Sequence, residues 1–261
     1  MMKHKNIALL AVLLVGMIVL LGFAEARQSS RVCKSLNVKI LGDEKQHFVE
    51  WKDIEQLVLN HGDSVINQPL TSVDISALER TIEDLAAVKN AEVHLTLDGI
   101  LNVEVEQRKP LVRVFNNRGE SGYLDELGSF MPLSHKYTAR VMVANGHYAD
   151  GLWSFDINKI NANDSLKNEW VLDDVFELAT YIAQNEFWKA QINQVYYNRS
   201  GEFELIPRVG SHIILLGKAE RLEEKFNKLY AFYQKGLPNT DWNAYELINL
   251  KYKNQVVCTK K

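Results

Sequence analysis

Along residues 34–107 the spacing of apolar positions changes from strand to helix and back. Leu36, Val38 and Ile40 alternate with Asn37 and Lys39, the two-residue repeat of a half-buried strand. Trp51, Ile54, Leu57 and Val58 then recur at helical spacing, and Gly62 with Pro69 marks the loop that follows. A second helix is expected to start at Asp74, whose carboxylate is suited to accept from the free N–H groups of a first turn. Val73 and Leu78 sit where a hydrophobic staple would close that helix entry. Its apolar stripe is Ile75, Leu78, Ile82 and Leu85. Val93, Leu95 and Leu97 next alternate with His94 and Thr96, Asp98-Gly99 supplies a tight turn, and Leu101, Val103 and Val105 return on one face. The predicted order is β-α-α-β-β.

Pro110 breaks the pattern, because it donates nothing to a ladder and biases Lys109 toward extended backbone. Beyond it, Val112 and Val114 open a strand, Asn117-Arg118-Gly119 turns, and Tyr123-Leu124-Asp125-Glu126-Leu127-Gly128 reads as a hairpin. Val141 and Val143 predict a further short strand, and the polar, aperiodic stretch 145–170 a long loop. Val171, Val175, Leu178 and Ile182 give a helical face, with Asp173 and Asp174 at its N-terminal end, where the helix dipole favours them. Ile192, Val195 and Tyr197 lead through Asn198-Arg199-Ser200-Gly201 to Phe203 and Leu205, a second hairpin. His212 to Leu216 predicts a central strand. Leu222, Phe226, Leu229 and Tyr233 make another amphipathic helix, closed by Gly236 and Pro238. Last, residues 246–257 are expected to form one closing strand, with Ile248, Leu250, Tyr252 and Val256 on one face and Asn249, Lys251, Lys253 and Gln255 on the other.

Ahead of all this, Ile7 to Ala24 is an almost wholly apolar run of 18 residues between Lys3/Lys5 and Glu25/Arg27. As a helix it would cover about 27 Å, close to the hydrocarbon thickness of a bilayer. Ala24-Glu25-Ala26 also fits a signal-peptide cleavage site, but the run exceeds the usual apolar core of such peptides, which favours a retained anchor. Lys3 and Lys5 point to a cytoplasmic N-terminus, opposed in part by Arg27, Arg31 and Lys34.

The order β-α-α-β-β, ending in Gln107-Arg108-Lys109-Pro110-Leu111-Val112-Arg113, resembles the POTRA domain of FtsQ/DivIB cell-division proteins and its ending of Glu/Gln-Arg-x-Pro, an apolar residue and Arg. The Asp125 hairpin resembles that family's aromatic-apolar-Asp-x-x-Gly turn. Residues 246–257 resemble its final Ile-Asp-Leu-Arg-Tyr strand, with Asn249 in place of the Asp and Lys251 in place of the Arg. The resemblance implies an α+β chain in four parts: a cytoplasmic tail (1–6), a transmembrane helix (7–24), a POTRA domain (34–109) and a mixed α/β sheet domain (110–258). It also implies an inner-membrane divisome scaffold that is not an enzyme, with its domains in the periplasm. The implied partners are FtsB/FtsL-type proteins and other divisome membrane proteins, besides the bilayer that holds residues 7–24. Partner binding falls on the closing strand, at Ile248, Leu250, Lys251, Tyr252, Lys253 and Val256, where an open sheet edge would accept a partner's strand. With Cys33 and Cys258 in different domains, no intramolecular disulfide is expected.

Charge and motifs narrow the alternatives. The formal charge is −3, and beyond residue 31 there remain 26 basic against 32 acidic residues, which argues against nucleic acid as a partner. The sequence holds no phosphate-binding Gly-rich loop, His-Glu-x-x-His zinc helix, Cys-x-x-Cys pair or Gly-x-Ser-x-Gly elbow. No cofactor or metal site is therefore expected; Asp173 and Asp174, being adjacent on a helix, point about 100° apart, and the dipole accounts for both. Two other classes stay open: a membrane-anchored envelope enzyme such as a glycosyltransferase, and a secreted POTRA-containing outer-membrane assembly factor. The first needs an acidic metal motif and a nucleotide pocket; the second needs cleavage after Ala26.

Overall fold

The computed structural model describes residues 14–19, 31–42, 46–60, 65–147, 171–237 and 242–261. The tail 1–6, the cleavage candidate Ala24-Glu25-Ala26, Gly62, Pro238 and the part of the expected loop from 148 to 170 lie outside the described residues, as does most of the apolar run 7–24. Residues 14–19 are helical and exposed. Among the described residues no helix is long and apolar enough to cross a membrane. The chain divides into two compact units, one ending at Gln107 and the other beginning at Arg108.

The first unit has the order β1 (Ser35–Leu41), α1 (Trp51–Leu59), α2 (Ile75–Glu83), β2 (Val88–Leu95), β3 (Ile100–Gln107). The sheet runs β1-β3-β2, with β1 parallel and β2 antiparallel to the central β3. Both helices cap as their sequences require: Asp74 Oδ1 accepts from the Ala77 N–H at 2.9 Å, and Asp53 Oδ2 from the Glu50 N–H at 2.9 Å. Ile54, Val58, Leu78 and Ile82 pack on Leu101, Val103 and Val105, all fully or almost fully buried. Burying such side chains stabilises by about 1.5–3 kcal/mol each before the chain's entropy is set against it. At the β2–β3 turn, Gly99 has φ +91° and its missing Cβ would lie 2.4 Å from the Val32 carbonyl oxygen, so only glycine fits.

The second unit comprises β4 (Pro110–Phe115), β5 (Ser121–Asp125), β6 (Phe130–Met131), β7 (Met142–Gly146), α3 (Val171–Ala183), α4 (Glu186–Gln191), β8 (Ile192–Tyr197), β9 (Phe203–Pro207), β10 (Ile213–Gly217), α5 (Leu222–Lys235), β11 (Tyr245–Asn249) and β12 (Val257–Lys260). Among the described residues these form one mixed sheet in the order β12-β11-β10-β9-β8-β7-β4-β5-β6. Val175, Leu178 and Ile182 of α3, Trp188 of α4, and Phe226, Leu229 and Tyr233 of α5 bury against Val112, Ala144, Val195, Leu205, Ile214 and Ile248 of the sheet. Three hairpin turns use one chemistry. Asn116, Asp125 and Asn198 each accept, through the side-chain oxygen, from the N–H groups two and four residues on, and each is followed at the third position by a glycine of positive φ. A short polar side chain replaces a backbone acceptor, and the glycine takes the left-handed step that returns the strand.

One expected element is corrected. Residues 246–257 are not a single closing strand: β11 ends at Asn249, residues 250–256 turn, and β12 comes back antiparallel, pairing Ile248 with Cys258 and Asn249 with Val257. Asn254 takes the left-handed φ of +59° that the reversal needs. The strand 246–257 was expected to leave its own edge open; instead β12 covers β11 and itself becomes the margin of the sheet.

Candidate partner-binding edge

β12 has β11 on one side and, among the described residues, no strand on the other. In a strand paired on one side only, alternate residues point their N–H and C=O groups outward. Among the described residues no side chain accepts from any N–H of β12. The strand is exposed at Val257, Thr259 and Lys260, and Cys258 packs in part on the core.

The six expected binding residues divide by the turn. Ile248 and Leu250 are fully buried, and the Leu250 N–H donates to the Leu215 carbonyl at 2.9 Å, so both hold the sheet together. Lys251 Nζ lies 2.6 Å from Glu202 Oε1, its backbone N–H donates to Asn249 Oδ1 at 3.0 Å, and its stem lies over Gly217. The Asn249/Lys251 pair that stands for the family's Asp/Arg therefore makes a backbone contact between its members, and the lysine finds its carboxylate elsewhere. Tyr252 sits in the turn with 48% of its surface exposed, and Lys253 is exposed. Val256 packs in part against the core.

The turn is clamped from α5. Lys228 Nζ donates to the carbonyls of Tyr252 at 2.7 Å and Leu250 at 3.3 Å, and is 3.4 Å from Glu224 Oε1. At the far end of β12, Lys261 Nζ donates to Ser211 Oγ at 2.6 Å and its backbone N–H to the Ala244 carbonyl at 3.2 Å. Lys251, Lys253, Lys260 and Lys261 give this margin a positive character. Sequence patterning did not single out Lys228, since a lysine on an amphipathic helix carries no sign of which loop it reaches.

Several other polar groups, in both units, hold the structure together. Asp125, nearly fully buried, adds Arg108 Nη1 at 3.3 Å to its two backbone donors. In the first unit, buried Gln107 accepts from the Val49 N–H at 3.0 Å and donates to the Gln46 carbonyl at 3.1 Å. The Gln107-Arg108-x-Pro110 signature is thus spent on the ends of the two units, the glutamine in the first and the arginine in the second. His212 Nε2 and the Tyr233 hydroxyl are 3.0 Å apart in the core. Burial pushes the imidazole below its ordinary range and the phenol above its own. Buried Lys225 donates to the Lys218 carbonyl at 2.7 Å, and burial lowers its pKa as well. Asp173 and Asp174 stand in the first turn of α3. Among the described residues no group of His, Cys, Asp and Glu side chains could hold a metal ion, and Cys33 and Cys258 are free thiols.

A small sheet-and-helix unit with a parallel β1/β3 pair, followed by a large mixed sheet whose margin among the described residues is β12, defines a two-unit α+β protein with a POTRA-like first unit. Comparison with known families agrees: residues 31–106 match the POTRA-like domain, and residues 109–259, more than half of the chain, match the domain described as FtsQ/DivIB, C-terminal related. The chain belongs to the FtsQ/DivIB family, a family of cell-division proteins whose members are generally not enzymes. No curated protein matches it.

Proposed function

We propose that the protein is a non-catalytic divisome scaffold, anchored in the inner membrane by residues 7–24 with its N-terminus in the cytoplasm and both units in the periplasm. At the septum it binds FtsB/FtsL-type partners and so links early to late division proteins. Family membership supports the division role, and the length of the apolar run supports the anchor. The observation that carries the binding mode is β12: a sheet margin with outward N–H and C=O groups, held rigid by Lys228 and Lys261, and bordered by lysines that favour an acidic partner strand.

Proline placed at Cys258 and, separately, at Thr259 tests this mode. Adjacent residues of an edge strand face opposite ways, so one proline breaks the ladder to β11 while the other removes only an outward donor. The variant that keeps the wild-type melting temperature is expected to lose the co-purifying partner. Undiminished capture by that variant would move binding away from β12. For the topology, a reporter active only outside the cytoplasm should work when fused after Lys261 and fail when fused after Lys5.

A further inference from the structure

The POTRA-like unit also ends in a strand without a neighbour, but that strand is closed. β2 has β3 on one side and, among the described residues, no strand on the other. Of the N–H groups that face away from β3, two are occupied by carboxylates of α2: the Val93 N–H donates to Glu79 Oε1 at 3.0 Å, and the Ala91 N–H to Glu83 Oε1 at 3.3 Å. The match is geometric. Residues four apart share a helix face and are separated by about 6 Å along its axis. Alternate residues of an antiparallel strand repeat at about 6.8 Å. A helix running against the strand therefore sets successive carboxylates beside successive outward donors, Glu79 to Val93 and then Glu83 to Ala91.

We propose that Glu79 and Glu83 close β2 to strand addition and so keep a second copy of this chain from pairing edge to edge with it. From Asn90 to Leu95, past an irregularity in register between Val88 and Asn90, β2 pairs regularly, contains neither proline nor glycine, and carries Ala91 and Val93 toward the core, the features of an edge that invites pairing. Two copies of one strand can meet antiparallel about a two-fold axis, so the partner to be excluded is the chain itself. An incoming strand would have to displace both side-chain acceptors before it could reach either donor.

The test compares Glu79→Ala/Glu83→Ala with Glu79→Gln/Glu83→Gln in the full chain, reading amide hydrogen exchange across residues 88–95 and self-association by sedimentation. The alanine pair is expected to exchange at least tenfold faster at Ala91 and Val93 and to self-associate at least tenfold more tightly than the wild type. The glutamine pair keeps a carbonyl acceptor at each position and should match the wild type in both. Ala91→Pro, added to the alanine pair, removes an outward donor without touching the ladder to β3 and should abolish the gained association. Association that is no stronger in the alanine pair, that survives Ala91→Pro, or that appears equally in the glutamine pair would overturn the proposal. Should the alanine pair lose its cooperative unfolding transition, the single variants Glu79→Ala and Glu83→Ala are read by the same criteria.

Discussion

β2 and β12 are both margins of sheets, yet among the described residues one is sealed by its own helix and the other is left open. The difference comes from where the neighbouring helix runs. α2 precedes β2 directly and lies along it, so its glutamates reach outward N–H groups 14 and 8 residues ahead in the chain. α5 instead meets the second sheet from the core side, and its lysine reaches the turn before β12, gripping carbonyls at Leu250 and Tyr252 and leaving the strand's outer groups alone. Side chains thus satisfy backbone groups in both places, with opposite effect. At β2 they occupy the pairing groups; at β12 they fix the strand that presents them.

The contrast breaks most completely if β12 loses its support. Leu250 is fully buried where β11 gives way to the turn, so Leu250→Ala should lower the stability of the second unit by about 2–5 kcal/mol. Denaturant unfolding followed in both units would check this, and the transition of the first unit should stay in place, because its core is a separate cluster. Tyr252→Ala should act differently. Its ring is about half exposed in the turn, so the melting temperature should change little, while affinity for an FtsB-like partner should fall by about 1–2 kcal/mol if the ring anchors the docked strand. Unchanged affinity in a calorimetric titration would restrict recognition to the β12 backbone.

Much of this architecture was legible because it rests on short-range chemistry. Asp74 as a helix cap and the turns at Asp98-Gly99, Asn117-Arg118-Gly119 and Asn198 to Gly201 are local devices, visible within five residues of sequence. The first unit's β-α-α-β-β order followed from clean changes of period. α4 leaves no such sign: six residues carrying Phe187, Trp188 and Ala190 complete too few turns to set a helical period. The β11–β12 hairpin looks like one strand in the sequence because Ile248, Leu250 and Val256 keep the same parity across the reversal, and the turn contains neither Gly nor Pro. Asn254 was the available signal, being one of the few residues other than glycine that enter the left-handed region at small cost. The seal on β2 could not be read at all, since the reach of Glu79 and Glu83 depends on how α2 packs rather than on any spacing between them and β2.

A milder change tests the clamp alone. Lys228→Met keeps most of the apolar stem and removes the ammonium that bonds the Leu250 and Tyr252 carbonyls. The second unit should lose about 1 kcal/mol, the net worth of such hydrogen bonds. Amide exchange in residues 250–260 should rise more than exchange elsewhere in the sheet. Equal exchange throughout would mean that Ile248 and Leu250, without the clamp, suffice to hold the edge.

Lys251→Ala should have the smallest effect, and its size decides what became of the Asp/Arg pair that the family's final strand carries. Here the lysine turns away from Asn249's side chain toward Glu202, with 39% and 25% of the two side chains exposed. A partly exposed pair of this kind is worth about 0.2–1 kcal/mol, because solvent screens it and two flexible side chains must be held. The stem over Gly217 adds some packing, so a loss near the upper end of that range is expected in denaturant unfolding. Glu202→Gln should reproduce the charge-dependent part and be insensitive to added salt, whereas the wild-type advantage over it should shrink as salt rises. A loss well above 1 kcal/mol from Lys251→Ala but not from Glu202→Gln would show that the contact with Gly217 dominates. In that case the lysine serves β12 as a spacer between β10 and the turn, and its ion pair with Glu202 adds little to the stability of the sheet.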